Sequence, residues 1–180
     1  MSDPFETLGL EPRFELDLDV LESRHRELSR ALHPDRYAGR PTAERREALS
    51  RAIEVNDTVR VLKDPIRRTL SLLTRRRVEL SERDEGAQAT PAFLMDVLEL
   101  REELHEAQRA SDLAAVERLE RGFLSRQASL LADLGQAFET LSKQPKWARE
   151  QVEPLAKTLG ELRFVRRLLG EAQTIQDEIG

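Results

Sequence analysis

The 180-residue sequence contains no cysteine, one tryptophan and one tyrosine, and aromatic residues make up only 4% of it. Without cysteine there can be no disulfide, no thiolate catalysis, no zinc knuckle and no cysteine-ligated iron–sulfur cluster. No apolar run is long enough to span a bilayer, and the opening residues are polar and acidic, unlike a secretory signal. A cytoplasmic, reducing location with no membrane partner is therefore expected. The net charge of −5 gives no global attraction to nucleic acid, and basic residues are not interleaved with aromatics. What is abundant is charge, at 35%, together with Leu, Ala, Glu and Arg. That balance predicts an all-α fold of one or two small domains.

Leu18, Leu21, His25, Leu28 and Leu32 recur at three- and four-residue steps, which predicts a helix over about 18–32, capped by Asp17 or Asp19. His25 is the polar member of the stripe. It reads as a core-edge histidine; a pH switch or metal ligand would need partners that the neighbouring sequence does not supply. The opposite face carries Arg24, Arg26 and Arg30, diluted by Glu22 and Glu27. Pro34 has no N–H and disfavours helical geometry at His33, so the helix must end near Leu32. His33-Pro34-Asp35-Arg36 then forms a stiff turn, and a run to Gly39-Arg40-Pro41 leads into a second helix. Thr42 is read as its N-cap, and Leu49, Ala52, Ile53, Asn56 and Val59 as its inward face. Two such helices joined by a short loop form an antiparallel hairpin. Asp64-Pro65 is an N-cap followed by proline at the first helical position, opening a short helix with Ile66, Leu70 and Leu73 inward. The triplet Arg75-Arg76-Arg77 complements the negative end of that helix.

Residues 79–90 lack apolar periodicity and read as a linker. Thr90-Pro91 opens the next helix. On it Phe93, Val97, Leu100, Leu104 and Ala107 form a core stripe, beside which Leu94, Met95 and Leu98 run into Glu99, Glu102 and Glu106. The residues alone leave open whether this second line widens the core face or marks a partner site. Ser111-Asp112 restarts a helix to about 141, with Val116, Leu119, Phe123, Leu130, Leu134, Phe138 and Leu141 inward. The last helix carries the stripe Leu155, Leu159, Leu162, Val165 and Leu169. Phe164 falls off this stripe and is expected at the surface. Pro154 must start or kink this helix, and Gly160 and Gly170 weaken it.

The His33-Pro34-Asp35 turn between two amphipathic helices resembles the signature of J-domains, co-chaperone modules that stimulate the ATPase of DnaK-class chaperones. Pro4-Phe5-Glu6-Thr7-Leu8-Gly9-Leu10 is similar to the opening helix of that domain, and Ile53, Asn56, Val59, Leu62 and Asp64-Pro65 to its third helix and stop. Phe93-Leu94-Met95-Asp96-Val97-Leu98-Glu99-Leu100-Arg101-Glu102-Glu103-Leu104 closely resembles a segment of the HscB family, the J-proteins dedicated to iron–sulfur cluster assembly.

This resemblance implies a J-domain over 1–78, a linker over 79–90 and a three-helix bundle over 91–180. It implies that Arg24, Arg26, Arg30, His33, Pro34, Asp35 and Arg36 meet an HscA- or DnaK-type chaperone. It further implies that Leu94, Met95, Leu98, Glu99, Glu102, Glu106 and Phe164 contact the scaffold protein IscU. Arg36 keeps the cation where the family often has lysine. The protein would act as a monomer, without a cofactor, metal or catalytic residues of its own. A J-protein with another client is the alternative. An enzyme finds little support: Glu102-x-x-His105 is half of a di-iron bundle motif, and neither His25 nor His33 supplies the second half.

Overall fold

The computed structural model describes residues 3–78 and 90–180. Residues 79–89 of the expected linker lie outside them. The described residues are helical and contain no strand. The chain divides into two compact units, Met1–Arg77 and Val78–Gly180.

In the N-terminal unit, α1 spans Pro4–Leu8. The Asp3 side chain caps it, accepting from the Phe5 and Glu6 amides, and Gly9 ends it in the left-handed region at φ 63°. A Cβ at Gly9 would meet nothing, so glycine is required there by the backbone angle alone. Helix α2, Leu18–Ala31, is capped by Asp17, which accepts from the amides of Asp19 and Val20. Helix α3, Thr42–Lys63, is the spine of the unit and packs against α1, α2 and α4. Helix α4 spans Pro65–Arg75. Asp64 accepts from the Ile66 amide at 2.9 Å and the Arg67 amide at 3.3 Å. Asp64→Ala is expected to cost about 1 kcal/mol, as N-cap removals do, read as a lower urea midpoint at unchanged slope.

Three expectations are corrected here. Thr42 is the first helical residue rather than the cap; Pro41 precedes it without a side-chain bond. Leu18 is exposed, so the α2 stripe begins at the fully buried Leu21. Most of the α3 face is displaced: Leu49 and Ile53 are 58% and 53% exposed, while Ala48, Val55, Thr58, Val59 and Leu62 are buried. Asn56 is exposed too, but its Oδ1 lies 2.9 Å from Nε2 of the half-buried His25, tying α3 to α2. Arg75 does more than complement a helix end. It pairs with Asp3 and with Glu6, the latter at 2.9 Å, and Glu6 and Asp3 raise its pKa.

Arg68 is a buried cation in this unit. Its Nη1 donates to the Leu62 carbonyl at 2.7 Å, and its guanidinium lies 5.0 Å from the centre of the buried Phe14 ring. Burial lowers its pKa, with Glu15 and Asp64 opposing. The side chain pins the loop before α2 to the α3–α4 corner. Arg68→Ala should lose both contacts and lower unfolding stability by about 2 kcal/mol in a denaturant titration.

In the C-terminal unit, α5 spans Pro91–Arg109, α6 Leu113–Ser142 and α7 Arg149–Ile179. Thr90 caps α5 through the Phe93 amide, and Asp112 caps α6 through the Ala115 amide. The cross-helix pairs Arg101–Glu171 and Gln108–Glu178 keep a constant sequence offset, so α5 and α7 run parallel. Arg126–Glu161 and Glu120–Gln176 shift in opposite directions, so α6 runs antiparallel to α7. The core holds Phe93, Leu104, Val116, Phe123, Leu134, Phe138, Leu155, Leu159, Leu162 and Val165. Leu119 and Leu169 are half-buried at its edge. Pro154 does not start α7: it is the sixth residue, with the helix continuous around it. The start is fixed by Trp147, whose indole N–H donates to the Leu141 carbonyl at 2.8 Å while its ring packs 5.7 Å from Phe138. The Gln151 side chain accepts from the Ala148 amide.

Candidate functional site

Two exposed surfaces stand out, one on each unit. In the N-terminal unit α2 stops at Ala31, and a 3-10 turn runs from Pro34 to Tyr37. His33 has the extended backbone that a following proline demands, φ −60° and ψ 133°. Its Nδ1 accepts from the Asp35 amide at 3.3 Å, and its carbonyl accepts from the Arg36 amide at 3.0 Å. The turn packs on α3 and is held from both sides of the proline. His33, Pro34, Asp35 and Arg36 are all exposed. The Asp35 carboxylate, 3.4 Å from His33 Nδ1, is 89% exposed. An acidic group held out by a stiff turn can accept a charge-assisted hydrogen bond from a partner without reorganising its own backbone.

The cations around the turn fall into two pairs of unequal availability. Arg24 is paired with Glu27 at 3.0 Å and Arg26 with Glu22 at 3.7 Å, whereas Arg30 and Arg36 have no ion-pair partner among the described residues. Glu22 also accepts from Lys63 at 2.9 Å, and that bond holds its carboxylate below the usual glutamate range. A depressed carboxylate contributes stability above its unfolded-state pKa and loses it as pH falls through the folded value. The Glu22 contribution therefore fades only under acid conditions. Two of the expected basic residues thus have a carboxylate beside them within the unit, Glu22 being shared between Arg26 and Lys63.

The second surface lies on α5. Phe93, Leu104 and Ala107 are buried and Val97 and Leu100 half-buried, so the core stripe takes the expected side. Leu94, Met95 and Leu98 are 39%, 57% and 60% exposed, and Glu99, Glu102 and Glu106 are exposed beyond them. Glu102 is bonded to Arg109 at 3.2 Å. Phe164 on α7 is half-buried, with its ring edge-on to Phe93 at 5.8 Å between centroids. The residue-level choice between a wider core and an open patch thus falls on the open patch. It is apolar in the middle and acidic along one flank.

His105 does not gather ligands: its Nδ1 is 3.4 Å from Gln108 Oε1. Among the described residues no three His, Asp or Glu side chains approach as a metal site would require. No helix among them is long and apolar enough to cross a membrane. What reasoning from sequence missed is the ion pairing of Arg24 and Arg26. The i to i+3 and i to i+4 acid–base spacings of Arg24–Glu27 and Glu22–Arg26 were the available signal.

Residues 89–173 match the family model described as the HSCB C-terminal oligomerisation domain. The chain is 32% identical to a protein of Haemophilus influenzae named as a co-chaperone HscB homologue, over 99% of this chain and 98% of that one. A Vibrio vulnificus protein of the same name is 33% identical over 97% of each. The solved structure of the chaperone HscB from Vibrio cholerae superposes with a TM-score of 0.82 at 30% identity, covering 99% of this chain and all of that one. The human co-chaperone HscB matches in fold with the same TM-score, at 24% identity over 97% of this chain and 82% of that one. On the strength of near-complete coverage at this identity, the chain belongs to the HscB family of co-chaperones.

Proposed function

We propose that this protein couples an IscU-type iron–sulfur scaffold to an HscA- or DnaK-type chaperone in the cytoplasm and stimulates the chaperone's ATPase. The N-terminal unit, residues 1–78, acts as the J-domain. The bundle over 91–180 holds the scaffold, and residues 79–90 link them. The observation that carries this reading is the exposure of the Asp35 carboxylate at the tip of a stiff turn, in a chain whose other unit presents an uncovered apolar patch. Asp35 accepts from a cationic side chain of the chaperone, with His33 and Pro34 fixing the approach. Arg30 and Arg36 steer the encounter with an acidic chaperone surface. Hydrolysis belongs to the chaperone, whose conformational equilibrium is biased by differential contact. The cluster is cargo, and no cofactor of this chain takes part.

On the bundle, Leu94, Met95, Leu98 and Phe164 supply apolar contact, and Glu99, Glu102 and Glu106 meet cations of the scaffold. The decisive assay measures chaperone ATP turnover with this protein, with and without the scaffold. Stimulation by the chain alone and a further rise with scaffold are expected; no stimulation in either arm would sink the proposal. Stimulation without scaffold binding would instead select a J-protein serving another client.

The steering cations differ in a measurable way. Arg30→Ala or Arg36→Ala should slow association with the chaperone several-fold at low salt, roughly as loss of a steering charge does. Arg24→Ala and Arg26→Ala should do less, because Glu27 and Glu22 already engage those side chains, which must leave them before meeting a partner. Stopped-flow association at two ionic strengths checks this.

A second reading has one observation in its favour. The matched family model is described as an oligomerisation domain, so the apolar patch could join two copies of the chain. Light scattering distinguishes the two: we expect the monomer mass alone and a one-to-one complex when scaffold is added.

A further inference from the structure

In the C-terminal unit one row of side chains crosses all three helices beside the apolar patch. The Arg126 guanidinium from α6 lies 5.1 Å from the centre of the Phe93 ring on α5. Phe93 meets Phe164 of α7 at 5.8 Å with the ring planes at 64°. Arg167 lies 5.5 Å from the centre of the Phe164 ring. Arg126 is also 3.9 Å from Glu161 of α7, which keeps the outer end of the row in place. Phe93 is only 4% exposed and cannot touch a partner, whereas Phe164 is half-buried and can.

We propose that Phe93 is a positioning residue for docking of the scaffold: through the row Arg126–Phe93–Phe164–Arg167 it holds the Phe164 ring in the single orientation that the partner meets. This rests on the assignment of Phe164 to the scaffold-binding surface made above. The physical case is preorganisation. A rim aromatic free to change rotamer must be immobilised on binding, and that entropy weakens the complex. Ring quadrupoles favour edge-to-face geometry at this centroid separation, and a guanidinium is drawn to a ring face. Both constraints act on Phe164 at once, from α5 and from its own helix. A leucine at 93 would keep most of the buried apolar volume but would supply neither an aromatic partner for Phe164 nor a ring face for Arg126.

The test is a double-mutant cycle on the full chain, reading affinity for the scaffold protein. Phe93→Leu should weaken binding about fivefold, the scale of immobilising one or two side chains. Phe164→Ala should cost far less in the Phe93→Leu background than in the wild type, because the ring is no longer presented there. Additive losses would overturn the proposal, since a purely structural role of Phe93 predicts additivity. A second readout needs no partner: NMR of ring-labelled Phe164 in the free chain should show one χ1 rotamer in the wild type and averaging in Phe93→Leu. An unchanged rotamer would also overturn it. Should Phe93→Leu fail to fold, Arg126→Gln, at the exposed end of the row, is expected to move the same two readouts in the same direction, and no movement would count against the idea. A wild-type chain that does not bind scaffold would remove the assignment of the surface, and the NMR readout would still decide whether Phe93 orients the ring.

Discussion

Asp35→Asn is expected to abolish stimulation of the chaperone ATPase while leaving the protein folded and able to bind scaffold. The substitution is nearly isosteric and removes one negative charge. The carboxylate is 89% exposed and lies 3.4 Å from His33 Nδ1. The turn itself is held by the Asp35 amide, the His33 carbonyl and Pro34, none of which changes. Unfolding stability should therefore stay within about 0.5 kcal/mol, as for surface substitutions generally. The partner's cation loses its counter-charge at the moment the complex excludes water. Removing one member of such a pair costs about 2–5 kcal/mol, at least a thirtyfold loss of effective stimulation. Steady-state ATP turnover at saturating scaffold, alongside a thermal melt, checks both halves. Undiminished stimulation would mean that the turn is not the contact.

Replacing Leu94, Leu98 and Phe164 together by alanine should weaken scaffold binding by about a hundredfold, the sum of three anchors at roughly 1 kcal/mol each. Leu94 and Leu98 face solvent, and alanine is the best helix former, so α5 should persist. Phe164→Ala also forfeits the contact with Phe93, worth about 1 kcal/mol of stability. The Leu94→Ala/Leu98→Ala pair is therefore the cleaner variant, and about thirtyfold weakening is expected from it, two anchors at roughly 1 kcal/mol each. ATPase stimulation by the chain alone should not change in either variant, because the turn sits in the other unit. Isothermal titration with scaffold and a scaffold-free ATPase assay separate these effects. A parallel loss of both would contradict the division of labour between the two units.

Much of this molecule could be read before any coordinates. Asp64-Pro65, Thr90-Pro91 and Asp112 mark helix starts because a cap acts over three residues, and each side chain bonds the amides that the rule anticipates. The end of α2 follows from Pro34, which restricts its neighbour without help from the rest of the fold. The exposed line Leu94, Met95 and Leu98 was legible as excess over a complete core stripe, although its openness was not. The roles proposed for the patch and the turn come from the family resemblance and not from periodicity.

Sequence alone determined where most of the helices begin and end, the cap of α3 and the start of α7 excepted, and how the chain bends at His33-Pro34-Asp35, because caps, prolines and side-chain spacing act within about four residues. Tertiary structure decided which way each helix is turned and whom each charge meets. On α3 two neighbouring stripes were both apolar enough to serve. Adjacent residues differ by about 100° around a helix. Only the simultaneous packing of α1, α2 and α4 selects Ala48, Val55, Val59 and Leu62 and leaves Leu49 and Ile53 outside. Arg75 finds Asp3 and Glu6 across some seventy residues of chain, a pairing that no local rule specifies.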